Sequence, residues 1–330
     1  MHKSFAAAAL ATASLAVVGL QPASAAVSSP TGSSPTISAA AVASRARVVT
    51  HFDLASGQQP ENVALAPGGF AYVTFAVGRQ VARIAPDGTM RILATMPAPA
   101  DGGSNTPVLG FPLTSGIVRD SHGTLYFLYA TGTADLTGVW RLRPGGTPQR
   151  IAALPATGVP NGLALDERSG NLYIADSVLG MIWRVPKSGG PAKAWSTAPE
   201  LASTGFLGAN GLKLRGGAVW VTNLDQGTML RIPVDRRGGA GQLQTRATGL
   251  TGIDDFAFTG RGDQFLAALN GPNTVVLVRS DGTSKTVLTA ADGLQNPTSV
   301  AVRGSTAYVF SAAYLTQQDP NLLRARLDRW

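Results

Sequence analysis

The chain of 330 residues has no cysteine and three histidines. The first absence removes disulfide staples and thiolate metal sites, so the fold must rest on its core. The second leaves a zinc centre almost without ligands. It also gives a Ser-His-Asp triad little support, because His2 lies at the N-terminus, His51 in an extended stretch and His122 in a Ser-His-Gly turn. Charged residues make up only 14%. The basic ones are scattered, often singly at the ends of expected strands, as at Arg83, Arg141, Arg184 and Arg231. No basic run has interleaved aromatics, which argues against nucleic-acid binding. The net charge of +8, or +7 once Lys3 is removed, reads as a solubility or cell-surface feature. After residue 20 no segment approaches the ~20 apolar residues of a membrane span.

The apolar run that does exist is N-terminal. Lys3 precedes an Ala-rich stretch from Phe5 to Leu20, and Ala23-Ser24-Ala25 offers a small-residue cleavage site. Residues 1–25 read as a secretory signal peptide, with a mature start near Ala26. A membrane anchor is the alternative, but the stretch is short for one. Residues 26–45 are rich in Ser, Thr, Pro and Ala and read as a flexible linker. The expected product is a secreted, extracellular or cell-envelope, monomeric protein with no transmembrane segment.

What the chain has in quantity is glycine, 39 residues, and repetition. "VPNGLALDERSGNLYIADSVLGMIWRV" from Val159 and "GANGLKLRGGAVWVTNLDQGTMLRI" from Gly208 share one plan: Asn-Gly, an alternating apolar strand, a turn, and further strands. Four more copies begin near Pro60, Leu113, Gly252 and Asn296. Each opens with an oxygen-bearing residue: Glu61, Ser115, Asn161, Asn210, Asp254 and Thr298, at gaps of 54, 46, 49, 44 and 44 residues. Aromatics recur on the second strand, at Tyr72, Tyr126, Tyr173, Trp220, Phe265 and Tyr308. Period-two alternation with turns at Pro86-Asp87-Gly88, Pro144-Gly145-Gly146 and Ser280-Asp281-Gly282 means antiparallel strands.

Four strands repeated at this spacing make a propeller blade, and six copies make an all-β, six-bladed β-propeller over residues 46–330. The stretch Arg47 to Phe52 is expected to close the ring as the outer strand of the last blade. The innermost strands line a central channel, so the six opening residues form a ring at one mouth. All six carry side-chain oxygen. Hard oxygen ligands suit Ca²⁺, and Mg²⁺ less well. Glu61, Asn161, Asn210 and Asp254 are the candidate metal ligands, with Ser115 and Thr298 as ring neighbours. The bland alternative is that such residues simply begin strands after loops. The glycine after Asn161 and Asn210 is expected to allow a tight turn.

These residues resemble the senescence-marker-protein (regucalcin)/gluconolactonase superfamily of six-bladed propellers. The resemblance implies a catalytic calcium held by Glu from blade one, Asn from blades three and four, and Asp from blade five, which here are Glu61, Asn161, Asn210 and Asp254. It spans about residues 52–327. The stretches "ENVAL" (61–65), "NGLAL" (161–165), "YIADSVLGMIWRV" (173–185), "GANGLKLRGGAVWVTNLDQGTMLRIPV" (208–234) and "DDFAF" (254–258) are also similar to an NHL-repeat-like, hetero-Diels–Alderase-like branch. The chain departs from the hydrolases where "GIDDFAF" replaces a Pro-Asp-Gly-type turn, which makes Asp255 a competitor of Asp254.

The function expected is a Ca²⁺-dependent hydrolase of lactones or esters, acting on a small molecule with Asp254 as general base or nucleophile. The alternatives are a small-molecule-binding propeller or pericyclase, and a protein-interaction scaffold. Asp176-Ser177 and Thr222-Asn223 are read as blade-to-blade hydrogen-bonding pairs. Phe111, Tyr129, Trp195 and Phe206 are candidates for a substrate wall or for packing between blades. Arg119 and Asp120 are expected to contribute surface charge at a strand end.

Overall fold

A computed structural model describes residues 43–327 of the chain. The signal-peptide reading and most of the linker reading fall outside these residues. The alternating segments form six four-stranded antiparallel sheets, each ordered from an innermost to an outermost strand, which is a six-bladed propeller. The innermost strands are Pro60–Leu65, Leu113–Arg119, Pro160–Asp166, Ala209–Arg215, Ile253–Phe258 and Pro297–Arg303.

The ring closes as the sequence leads one to expect. The strand Ala43–His51 pairs antiparallel with Asn321–Leu327, for example Val48 opposite Leu323, and forms the outer edge of the blade begun at Pro297. It starts three residues before the boundary read from composition, so the end of the linker stretch is already strand. Pairing the first described strand with the last replaces two open sheet edges by one ladder.

A single blade has two apolar faces and can cover neither by itself. The core is accordingly divided among the seams between blades. Phe52, Phe75 and Phe310 fill the seam of blades six and one, with Phe52 edge-on to Phe75 at 5.1 Å. Tyr173 and Trp195 meet edge-on at 5.0 Å in the seam of blades three and four. Trp220, Phe256 and Phe265 occupy the next one. Each fully buried side chain of this size contributes about 1.5–3 kcal/mol relative to exposure. The recurring second-strand aromatics are thus seam fillers. Tyr129, in the strand Leu125–Ala130, is also core, and its hydroxyl donates to the Pro97 carbonyl at 2.7 Å.

Candidate functional site

Each innermost strand begins at the same end of the channel, the mouth, and each departs from regular pairing at once. The register between first and second strands shifts just after Pro60, Thr114, Pro160, Ala209, Ile253 and Pro297. The six opening residues sit at these irregularities. A bulge re-aims side chains at a strand end. Here it stacks two tiers in the channel, the opening residues at the mouth and the residues after them one step deeper.

The deeper tier explains the Asn-Gly pairs. In blades two, three and four it is Gly116, Gly162 and Gly211. None has a positive φ, so the tight-turn reading is replaced by close approach. A Cβ at Gly162 would lie 2.0 Å from the Asn210 carbonyl oxygen, one at Gly116 2.4 Å from that of Asn161, and one at Gly211 2.7 Å from that of Asp254. Only glycine lets these three inner strands nest against the next blade. In blades one, five and six the same position is Asn62, Asp255 and Ser299. Asn62 Nδ2 donates to Asp255 at 3.0 Å across the channel, and Lys213 Nζ lies 2.8 Å from both Asp255 oxygens. Asp255 is therefore fully engaged in an ion pair.

The mouth tier is different. Glu61, Asn161, Asn210 and Asp254 are all buried. Burial pushes the Glu61 carboxyl up to about 7; a hydrogen bond from Tyr314 pulls it back, and the Asp255 charge pushes it up further. Burial, followed by the charges of Glu61 and Asp255, raises Asp254 well above the ordinary carboxylate range, and no hydrogen bond offsets this. The Asn210 amide oxygen is buried without a partner. Ser115 and Thr298 stand in the ring, but their hydroxyls turn into the seams and donate to the Pro160 and Pro60 carbonyls at 2.8 Å. Ser177 and Thr222 do the same toward Ala209 and Asp254. Asp176 and Asn223 instead hold their own connections, Asp176 accepting from Val159 N and Asn223 donating to the Glu200 and Ala202 carbonyls.

Among the described residues no three His, Cys, Asp or Glu side chains form a metal centre. The mouth set is two carboxylates with two amides. That donor set, with its orphaned amide oxygen and mutually repelling acids, fits a hard cation. His51 contacts Asp319 on the outermost strand of blade six, away from the ring.

Tyr314 carried no sequence signal. Its hydroxyl donates to Glu61 Oε2 at 2.6 Å. It lies in the connection after the strand Thr306–Ser311, which Asn296 Oδ1 holds by accepting from Leu315 N and Thr316 N at 2.9 Å each. Tyr314 also packs with Leu109, Phe111 and Val178 against a small apolar cluster of Ala76, Leu113, Ala130 and Val159 at the mouth. Phe111 is thus a mouth residue. Trp195 is a seam residue whose indole donates to the Gly238 carbonyl, and Phe206 is exposed.

The blades define a six-bladed β-propeller, similar in fold to those of regucalcin and a gluconolactonase. The sequence matches no protein-family model and no curated protein. Solved structures do match. The calcium-binding protein regucalcin from Agrobacterium tumefaciens is 16% identical over 87% of this chain and 96% of its own, with a TM-score of 0.63. A gluconolactonase from Xanthomonas campestris is 17% identical over 82% and 87%, at 0.60. A catalytically inactive histidine-to-alanine variant of virginiamycin B lyase from Staphylococcus aureus, solved with quinupristin, is 15% identical over 82% of each chain, at 0.58.

Proposed function

We propose that the protein is a secreted, monomeric hydrolase of small lactones or esters that uses Ca²⁺, with Mg²⁺ a weaker substitute. The observation that carries this is the mouth tier: two buried carboxylates beside an amide oxygen that has no partner. Glu61, Asn161, Asn210 and Asp254 would hold the ion. When bound, it supplies a Lewis acid that polarises the carbonyl oxygen of the substrate. Asp254, one residue away from the paired Asp255, takes the proton of the attacking water. The bond from water oxygen to acyl carbon forms, the acyl C–O bond breaks, and the leaving alkoxide takes up the proton, giving a hydroxy acid from a lactone or an acid and an alcohol from an ester. Tyr314 orients Glu61, and Leu109 and Phe111 present an apolar wall to the substrate.

The wall supports a second reading, a propeller that binds or orients an apolar molecule without hydrolysis. The scaffold reading is weaker, because Asn210 is not tied into the ring. The lyase neighbour is inactivated by loss of a histidine, and this mouth has none. Calcium titration of the melting temperature, run beside a panel of lactones and aryl esters, decides between the first two. Calcium-dependent stabilisation with turnover supports hydrolysis; turnover absent and no calcium shift leaves the binding reading.

A further inference from the structure

The two ends of the propeller differ in apolar exposure and in backbone strain. Among the described residues, the large apolar side chains that stand exposed are Val108, Leu179, Phe206 and Leu315. All four are in connections at the mouth. The non-glycine residues with positive φ are Arg79, Val108, Asn273, Asn296, Ala313 and Gln317, and these too are all in mouth connections. Strain of this kind clusters where ligands are held. Val108 has both features. It is β-branched, has a φ of 54°, and sits in a three-residue turn closed by Leu109 N donating to the Pro107 carbonyl at 2.6 Å. A turn of that kind is rare and costly.

The apolar residues occupy one sector of the mouth. The cluster there draws Ala76 and Val77 from blade one, Leu113 and Ala130 from blade two, Val178 from blade three and Tyr314 from blade six. Blades four and five contribute nothing to it. Their turns across the mouth are Leu224-Asp225-Gln226-Gly227 and Asn270-Gly271-Pro272-Asn273. Tyr314 joins the sector to the ring, with its side chain packed against the cluster and its hydroxyl on Glu61 Oε2 at 2.6 Å. Val108 and Leu315 are the chain neighbours of Leu109 and Tyr314, so the apolar path runs on from the ring to the rim.

We infer that the mouth takes an uncharged lactone or ester bearing an alkyl arm of several carbons, with the carbonyl over the ring and the arm laid along this sector toward Val108 and Leu315. The hydrolase reading is needed here only for the fate of the ester group. A polyhydroxylated ring would leave its hydroxyls unpaired along the path. The outer path, Val108, Leu109, Leu179 and Leu315, is aliphatic and offers no ring to stack on a flat aromatic group. The connections that carry Val108, Phe206 and Leu315 also carry Asp101, Glu200 and Asp319 and no lysine or arginine. Arg79 joins the first of them at its start, donating to the Met96 carbonyl at 3.4 Å. Those acids disfavour a carboxylate on the arm, and they make burying this face in a bilayer costly.

The test uses the purified chain with Ca²⁺ and two series of five-membered rings whose 5-alkyl chain grows from methyl to nonyl. γ-Lactams, which resist hydrolysis, read binding by calorimetry, and γ-lactones read turnover. Lactam affinity is expected to rise about three- to fourfold per buried methylene, and a polyhydroxylated lactam should bind at least about tenfold more weakly than the pentyl one. In V108S/L315S the nonyl-to-methyl affinity ratio should fall at least about tenfold. Its melting temperature should not fall, since both side chains are exposed. Chain-dependent lactam binding without lactone turnover would support the arm site and remove the hydrolase reading. Lactone turnover with affinity flat in chain length, or higher for the polyol, would keep the hydrolase and overturn the arm site. So would binding of neutral phosphatidylcholine vesicles that V108S/L315S abolishes while the lactam ratio stays as in the wild type, because those side chains would then serve a lipid surface.

Discussion

In the mouth tier of the channel, Glu61 and Asp254 are buried, with one tyrosine hydroxyl donating to Glu61 and no cation side chain bonded to either. One residue deeper, Asp255 is buried too, yet it has Lys213 Nζ at 2.8 Å from both oxygens and the Asn62 amide at 3.0 Å. Asp254 and Asp255 are chain neighbours on one bulge. The bulge sends one carboxylate up into an acid-rich ring and the other down to a lysine. The lower tier is balanced by the protein itself. The upper tier lacks a counter-charge, and that imbalance is what a bound cation would correct.

The largest expected effect comes from breaking the upper tier alone. D254N should lower lactone or ester turnover by about 10²–10⁴-fold, the usual worth of a general base, and remove the calcium-dependent rise in melting temperature. D255N should do the opposite. Turnover falls far less, while stability drops by on the order of 2 kcal/mol because Lys213 and Asn62 lose their acceptor. That figure lies below the cost of a fully buried pair because the Lys213 side chain is 27% exposed. Equal loss of turnover in both variants would dissolve the distinction between the tiers.

Next in size is the packing that holds the tiers in place. G162A puts a methyl where the Asn210 carbonyl stands, at 2.0 Å, so a blade must move. A loss of about 3 kcal/mol in denaturant unfolding is expected, in line with overpacked cores. G216A, where a Cβ meets nothing within 4 Å, controls for the general cost of losing glycine, though its φ of 56° adds some strain of its own. If the two variants cost the same, the close approach is not what selects glycine in the ring.

The comparison also shows what could be read in advance. Six copies, their turns and the closing strand were legible because period two and turn chemistry are local properties. The phase of the ring was legible because the copies align. The bulges were not, since an extra residue leaves no compositional mark. Lys213 did leave one. Three residues after each opening residue the copies have Ala64, Val118, Ala164, Lys213, Ala257 and Ala301, and these line a channel cavity of about 400 Å³ below the tiers. One lysine among small apolar residues needs a partner, and Asp255 was the acid in reach. Tyr314 was not legible, because its place over Glu61 depends on a connection found in one blade only.

A smaller effect tests the charge imbalance through pH. Glu61 titrates near 7 in the folded protein against 4.5 unfolded. The native state therefore holds the extra proton. Its stabilising contribution is complete below about pH 4.5 and is lost as pH rises through about 7. Calcium-free protein should lose stability across that window. Calcium needs the ionised forms, so the melting shift it produces should be small at pH 5 and large at pH 8. A shift independent of pH would mean the ion binds elsewhere. In D254N the loss of stability with rising pH should shrink, because the raised Asp254 carboxyl no longer titrates.

The mildest perturbation leaves both carboxylates in place and removes only the hydroxyl above one of them. Y314F keeps the ring that packs against the apolar cluster at the mouth but withdraws the bond to Glu61 Oε2. That bond favours the ionised carboxylate, so its loss should move the Glu61 titration upward and extend the pH window of the calcium-free protein above 7. Net stability at pH 5, where Glu61 is protonated, should change by no more than about 1 kcal/mol. At pH 8 calcium affinity should fall a few-fold, because Glu61 is harder to ionise and less firmly oriented. Calorimetric titration of wild type and Y314F at both pH values reads the two effects separately. If calcium affinity is unchanged at pH 8, Glu61 is not a ligand, and the upper tier reduces to Asn161, Asn210 and Asp254.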